Sequence, residues 1–230
     1  MTHRVALIVG AGLGLSAELA RRLASDGFKI ALAARTIEKL RAIESEIGAR
    51  PFACDATDAA SVDRLFGDVA AAFGDPDVVV YNASGRLRGP LIALDASTVQ
   101  SNLAVTAFGG FLVGQAAARR MLSRGSGTIL FTGASASIKG FAQSAPFAMG
   151  KFALRGLAQS MARELAPLGV HVAHVVIDGV IRPAGHRADL SHPDSMLEPD
   201  AIAETYLYLI GQPRSAWTWE VEVRPWVERF

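Results

Sequence analysis

The sequence predicts an α/β protein in which a doubly wound parallel β-sheet carries helices on both faces, in three layers. Short apolar runs of strand length recur along the chain, as at residues 5–9 and 28–34, and such runs are typical of parallel strands buried on both faces. Segments with apolar residues at helical spacing alternate with these runs. Half of the 230 residues are hydrophobic, and no repeat or long linker divides them. We therefore expect a single domain over residues 1–230.

The first βαβ unit, residues 4–35, contains a glycine-rich turn between its first strand and its first helix. The turn glycines are Gly10, Gly12 and Gly14. Glycines there let the backbone approach a diphosphate, while the helix start offers free N–H groups and the positive end of its dipole. This Rossmann-like arrangement predicts a dinucleotide site, which Leu13 and Leu15 also contact.

Arg35 stands at the carboxyl end of the second strand, where the adenosine ribose of a dinucleotide would lie. A carboxylate at this position binds the ribose hydroxyls of NAD, whereas a guanidinium suits the 2′-phosphate of NADP. The alternative is that Arg35 is only a solvated side chain near the next helix. We expect NADP as the cofactor, with NAD less favoured.

The remaining elements continue the alternation in order. Further strands are predicted at residues 50–54, 77–81, 127–132 and 170–177. Helical spacing predicts helices at 37–47, 62–73, 97–104, 106–123, 146–166 and 201–210. Residues 180–198 are expected to form a loop, and the tail at 215–230, with three tryptophans, alternates like a strand. Strands that return through helices form a parallel sheet.

Polar residues follow the third and fourth strands, at the strand ends where open α/β sheets bind their ligands. Asp55 and Ala56 follow the third strand, and Asp55 is expected either to contact an adenine ring or to stabilise a turn. Asn82 and Ser84 follow the fourth strand, within a turn of small residues. We expect these four residues to line the cofactor site.

Several separated motifs between residues 4 and 181 resemble, in the same order, those of the short-chain dehydrogenase/reductase family. They are the turn from Gly10 to Ser16, Asp55, the Tyr81-Asn82-Ala83-Ser84 turn, Asn102, Lys151 and the segment from Ile177 to Ile181. The resemblance implies an NADP(H)-dependent oxidoreductase that transfers a hydride to or from a small organic substrate. It also implies that Asn102 and Lys151 are catalytic, that Lys151 holds the nicotinamide ribose, and that the segment ending at Ile181 lies against the nicotinamide.

Two positions depart from the family pattern at the reacting centre. Phe147 replaces the tyrosine that passes a proton to the carbonyl oxygen, and Ala134 replaces the accompanying serine. A phenyl ring has no proton to donate. Ser135 can fill the serine's place if the turn is shifted by one residue, so it is a third catalytic candidate. Lys151 or a histidine of the 180–198 loop can supply the proton, and these alternatives stay open here.

The missing tyrosine leaves a second function class open. On the same fold, the chain would be a non-catalytic NADP(H)-binding protein with a role in regulation or assembly. Two milder departures accompany it: Ser16 replaces a glycine of the family's turn, and Asp178 replaces a proline of its nicotinamide loop.

Composition argues against several other partners. The net charge of +1 gives no field that would attract nucleic acid or an anionic membrane. No apolar run is long enough to span a bilayer, and no signal segment precedes the first strand, so a cytoplasmic protein is expected. The lone Cys54 and the histidine spacings offer no set of metal ligands. Small residues along the helices at 106–123 and 146–166, with the resemblance, predict a homodimer or homotetramer.

Overall fold

A computed structural model describes residues 4–186 and 191–228 and contains a seven-stranded parallel sheet. The strands are β1 (Val5–Val9), β2 (Lys29–Ala34), β3 (Arg50–Ala53), β4 (Val78–Tyr81), β5 (Gly127–Thr132), β6 (Val170–Ile177) and β7 (Glu220–Val223). Their order in the sheet is β3-β2-β1-β4-β5-β6-β7. The chain therefore reverses its direction of winding between β1 and β4, where the paired strand ends are Val9 and Tyr81.

Helices cover both faces of this sheet, as the sequence predicts. They are α1 (Leu15–Ser25), α2 (Arg41–Ile47), α3 (Ala59–Phe73), α4 (Ala96–Leu103), α5 (Gly109–Arg124), α6 (Ala145–Leu165) and α7 (Pro199–Gly211). One apolar cluster joins the sheet to α3, α5 and α6, and a second joins the opposite face to α1, α2 and α7. The alternating side chains of each buried strand supply both clusters, so the three-layer α/β fold is confirmed.

The two helices predicted at 97–104 and 106–123 form one continuous run, which differs from the prediction. A π-helical turn, Ala104–Phe108, joins α4 directly to α5. The Tyr81 hydroxyl donates a hydrogen bond to the carbonyl of Val105 in this turn, and the Thr106 hydroxyl accepts one from the loop after β4. These contacts come from residues distant in sequence and favour the wider turn, which commonly marks functional sites.

The tail contains less regular structure than the sequence pattern suggests. In the tail predicted at 215–230, regular pairing is confined to β7, which adds to the sheet edge beside β6. Within the expected loop at 180–198, Ile181 and Leu197 form an isolated parallel bridge, and residues 187–190 lie outside the described residues. Among the helices of the described chain, none is both long enough and apolar enough to cross a membrane.

Candidate cofactor and active site

A cleft of about 260 Å³ opens at the carboxyl ends of β1 to β4, beside the reversal point of the sheet. Its lining includes six residues that the sequence assigns to the cofactor site: Gly10, Arg35, Asp55, Ala56, Asn82 and Ser84. A second cleft, of about 540 Å³, lies on the other side of the glycine turn and is lined in part by Leu13 and Gly14. The predicted catalytic residues Asn102, Ser135 and Lys151 line neither cleft.

The glycines of the turn differ in the space around them. Gly10 has a φ of +85°, and a Cβ there would overlap the backbone of Ala83, so this glycine serves the packing of the turn itself. Around Gly12 and Gly14, by contrast, an added Cβ would meet nothing within 4 Å. The start of α1 also has no side-chain cap, so its N–H groups are available to a phosphate.

Ser16 explains how the turn tolerates the loss of the family's last glycine. Its hydroxyl donates to the carbonyl of Gly10 at 3.3 Å and accepts a hydrogen bond from Asn82 Nδ2 at 2.7 Å. Asn82 therefore fastens the glycine turn to the end of β4. Sequence reasoning treated Ser16 only as a departure, because this bond joins residues 66 positions apart.

Four of the predicted cofactor residues line neither cleft: Gly12, Leu15, Lys151 and Ile181. Leu15 is buried in the core that joins α1 to the sheet, so only its backbone faces the helix start. Ile181 is held by its bridge to Leu197, while the residues just after it line the second cleft. Leu15 and Ile181 therefore remain proposals that rest on the family resemblance.

The end of the first cleft where the sequence predicts adenosine holds two cations and one carboxylate. Arg35 is exposed there, and Lys39, which sequence reasoning missed, lines the same cleft. Asp55 performs the turn role left open above, because its Oδ1 accepts hydrogen bonds from the Thr57 N–H and hydroxyl at 2.9 and 2.8 Å. These bonds from Thr57 hold the pKa of Asp55 below its usual value, and Arg35 adds to the effect.

Lys151, the predicted catalytic lysine, contacts the end of β5 and the ring of Phe147. It projects from α6, is 3% exposed, and donates a hydrogen bond from Nζ to the Thr132 carbonyl at 2.7 Å. Burial lowers its pKa to about 8. The ring of Phe147, one helical turn earlier, has its centroid 5.9 Å from Nζ. Within residues 4–186 and 191–228, no carboxylate forms an ion pair with Lys151.

Asn102 and Ser135 occupy two further positions around this region. Asn102 is buried at the end of α4, and its Oδ1 has no hydrogen-bond partner within the described chain. A buried acceptor without a donor is costly, so a water or a ligand N–H or O–H would be favoured beside it. Ser135 begins the turn after β5 and shares a hydrogen bond with Asp178.

Asp178 forms a charged group with Lys139 behind Ser135. The Lys139 ammonium donates to Asp178 Oδ2 at 3.0 Å, and Asp178 itself is buried. Burial acts to raise the pKa of this carboxyl, but the hydrogen bonds from Ser135 and Lys139 hold it below its usual value. Asp178 is therefore an ion at neutral pH, and the hydroxyl of Ser135 is oriented by it.

The histidines take structural or peripheral positions. His174 is buried in β6, contacts Glu220 Oε2 through Nδ1 at 3.0 Å, and is kept neutral because burial lowers its pKa to about 4. His171 stacks on Trp217 with ring centroids 4.9 Å apart. The loop histidines, His186 and His192, are exposed. Across the described part of the chain, no group of three or more His, Cys, Asp or Glu side chains could hold a metal ion.

Comparison with known proteins agrees with this geometry. A family model described as short chain dehydrogenase matches residues 4–192. The D-threitol dehydrogenase of Mycolicibacterium smegmatis is 33% identical over 90% of this chain and 85% of its own. An uncharacterized oxidoreductase of Staphylococcus aureus is 30% identical over 98% of both chains.

Solved structures of similar proteins share the whole fold. A short-chain dehydrogenase from Rhodopseudomonas palustris superposes with a TM-score of 0.84 at 35% identity, over 97% of this chain and 99% of that one. A metagenomic short-chain oxidoreductase in complex with NADP gives a TM-score of 0.84 at 33% identity, over 96% and 97% of the two chains. The chain therefore belongs to the short-chain dehydrogenase/reductase family, whose members are NAD(P)-using oxidoreductases.

Proposed function

We propose that the protein is an NADP(H)-dependent oxidoreductase in which Lys151 replaces the family's tyrosine as the proton donor. The cofactor supplies or accepts a hydride, and the substrate is a small organic molecule. The observation that carries the proposal is the buried Lys151 ammonium, which lies beside Phe147 and has a pKa of about 8. A general acid works best when its pKa is close to the working pH.

The surroundings of Lys151 suit both binding and proton transfer. An ammonium has three N–H donors, and the described residues accept from one of them, through the Thr132 carbonyl. The others are available to the nicotinamide ribose and to the substrate oxygen. Loss of a proton to the substrate leaves a neutral amine, which the buried site favours over the charged form.

The proposed preference for NADP is supported by the cations of the first cleft. Arg35 and Lys39 both line its adenosine end, where a 2′-phosphate would lie. Asn102 and Ser135 complete the proposed catalytic group. Binding of a dinucleotide at the glycine turn is supported by the open space around Gly12 and Gly14 and by the uncapped start of α1.

The pH dependence of the rate tests the role of Lys151. Reduction needs the ammonium form, so kcat/KM for NADPH-dependent reduction should fall as the pH rises through about 8. Oxidation needs the neutral amine, so its rate should rise over the same range. A reduction rate that stays constant across this range would exclude Lys151 as the acid.

Lys151→Arg is the matched variant for this experiment. It keeps the positive charge and the donors for the ribose but does not lose its proton in the working range. Reduction should slow by roughly 10² to 10⁴-fold and lose its pH break near 8, while NADPH binding, measured by fluorescence, should change far less. Retention of the break would assign the proton to another group.

Phe147 is the observation that favours the alternative, an NADP(H)-binding protein without turnover. One measurement on the unmutated protein distinguishes the two functions. Saturable NADPH binding with no reduction of ketones, conjugated enones or imines at any pH would support the alternative. Reduction of any of these substrate classes supports the oxidoreductase.

We also propose that the protein works in the cytoplasm as a homodimer or homotetramer, without nucleic acid. The small net charge and the single, buried Cys54 support this setting.

A further inference from the structure

The loop at residues 85–89, which follows the turn after β4, is fixed at both ends. The Gly85 N–H donates to the Thr106 hydroxyl at 3.0 Å, and the Gly89 N–H donates to the Gln143 carbonyl at 2.9 Å. Gln143 has a φ of +59°, a left-handed conformation that is uncommon for a residue with a side chain. The loop is therefore held in one position relative to the segment that leads into α6.

Close packing around Thr106 brings this loop to the catalytic helix. A Cβ at Gly85 would overlap the amide of Asn102, so the loop can approach α4 only because residue 85 is glycine. On its other side Thr106 packs against α6, where a Cβ at Gly150 would lie 2.9 Å from Thr106 Cβ. Gly150 immediately precedes Lys151. The loop and the residue that precedes Lys151 therefore pack against the same threonine.

Arg86 lies in this fixed loop and faces Phe147. Its guanidinium carbon is 5.9 Å from the centroid of the Phe147 ring, the same distance as Lys151 Nζ. Two cations are therefore equally close to the ring that replaces the family's tyrosine. Arg86 forms no hydrogen bond or ion pair with any residue in the described ranges, 4–186 and 191–228. Other basic residues of the region are paired: Lys139 with Asp178 and Arg182 with Glu198.

The local charge around Phe147 is unbalanced. In the family's usual site a tyrosine hydroxyl can become negative beside the lysine, whereas a phenyl ring cannot. Lys151 is buried without a carboxylate partner in the described chain, and Asp178, the acid after β6, is already paired with Lys139. Arg86 is exposed and Lys151 is buried, and neither is paired with an anion of the described residues. Two such cations beside an apolar ring favour a negative group from outside the protein.

We propose that the substrate carries a carboxylate or a phosphate, and that Arg86 binds this negative group while Phe147 packs against the apolar body of the substrate. The planar guanidinium can donate two parallel hydrogen bonds to either anion. The inference rests on the proposed function and adds the chemical class of the substrate to it. Arg86 is then a residue that binds and selects the substrate, and the proton still comes from Lys151.

Binding of simple aromatic probes tests this inference without turnover. The probes are benzoylformate, its neutral methyl ester and phenyl phosphate, each titrated calorimetrically into the protein saturated with NADP⁺. We expect benzoylformate or phenyl phosphate to bind at least 10-fold more tightly than the ester, and the tighter of the two identifies the anion. Higher salt should weaken binding of the anion and leave the ester unaffected.

Arg86→Gln should weaken binding of the preferred anion roughly 10- to 100-fold, because one charge-assisted contact is lost. Arg88→Gln is the matched control, because Arg88 is exposed in the same loop, as Arg86 is, but has no contact with the Phe147 ring. This variant should change the dissociation constant less than threefold. Arg86→Lys keeps the charge and should bind the anion better than Arg86→Gln. Thermal unfolding of each variant checks that the fold is intact.

Several outcomes would overturn the inference. In the unmutated protein, ester binding as tight as that of both anions would do so whatever the variants show. If Arg86→Gln and Arg88→Gln lose the same affinity for the anion, the effect comes from general surface charge and not from a specific contact of Arg86. If NADPH binds and neutral ketones are reduced without preference for anions, the proposed function stands and this inference fails. If NADPH does not bind at all, the proposed function itself fails.

Discussion

We expect the choice between NADP and NAD to depend on Arg35. Arg35 is exposed and lines the first cleft together with Lys39. Arg35→Ala should weaken NADPH binding by about 1.5–3 kcal/mol, because a charge-assisted contact with the 2′-phosphate is lost, and should leave NADH binding nearly unchanged. Arg41→Ala, an exposed arginine of α2 outside both clefts, is the control. Equal dissociation constants for NADPH and NADH in the unmutated protein would contradict the prediction.

We expect Phe147 to change the chemistry of the site, and replacing it with the family's tyrosine tests how much of the usual catalytic group remains. Phe147→Tyr, alone or with Ala134→Ser, should raise NADPH-dependent reduction of simple neutral ketones by roughly 10² to 10⁴-fold, since it adds a proton donor one helical turn from Lys151. The readout is loss of NADPH absorbance. Phe141→Tyr, an exposed ring outside α6, should give no gain. A double mutant that binds NADPH and reduces nothing would count against the enzyme.

At the scale of elements, we expect the glycines of the turn before α1 to have two roles. Gly10 serves packing, and Gly12 serves ligand binding. Gly10→Ala should lower the free energy of unfolding by at least about 2 kcal/mol, because φ is +85° and the new Cβ overlaps the backbone of Ala83. Gly12→Ala has free space and an ordinary φ, so stability should hold while NADPH binding weakens. Denaturant unfolding and cofactor titration measure the two effects. Similar stability losses in both variants would show that the glycines have one shared structural role.

The regular elements were predictable because their signals are local. Most strands are short apolar runs and most helices have an apolar face, so the sheet and the helices that cover it follow from the sequence. The π turn of Ala104–Phe108 depends on Tyr81, more than twenty positions away, and has no local signal. Arg86 was missed for the same reason, because its place beside Phe147 depends on hydrogen bonds from Gly85 and Gly89 to distant residues.

At the scale of the whole molecule, one of the two helical layers that cover the sheet exposes a set of large apolar side chains. On the run from the π turn through α5 and along α6, these are Phe108, Phe111, Leu122, Met149 and Phe152. The rings of Phe108 and Phe111 stack with centroids 6.2 Å apart. Several exposed apolar residues on one layer indicate a protein interface, and a two-fold contact between copies of the same helices would bury them twice.

We therefore expect a homodimer or homotetramer in solution, held in part by α5 and α6. Phe111→Asp with Phe152→Asp places charges in this contact and should shift the protein to a monomer at micromolar concentration, as measured by light scattering. Tyr208→Asp is the matched control, because Tyr208 is 68% exposed on α7, in the opposite layer, and its variant should keep the native assembly. An unmutated protein that is monomeric under these conditions would contradict the prediction. The apolar side chains of α5 and α6 would then be exposed for a reason other than self-association.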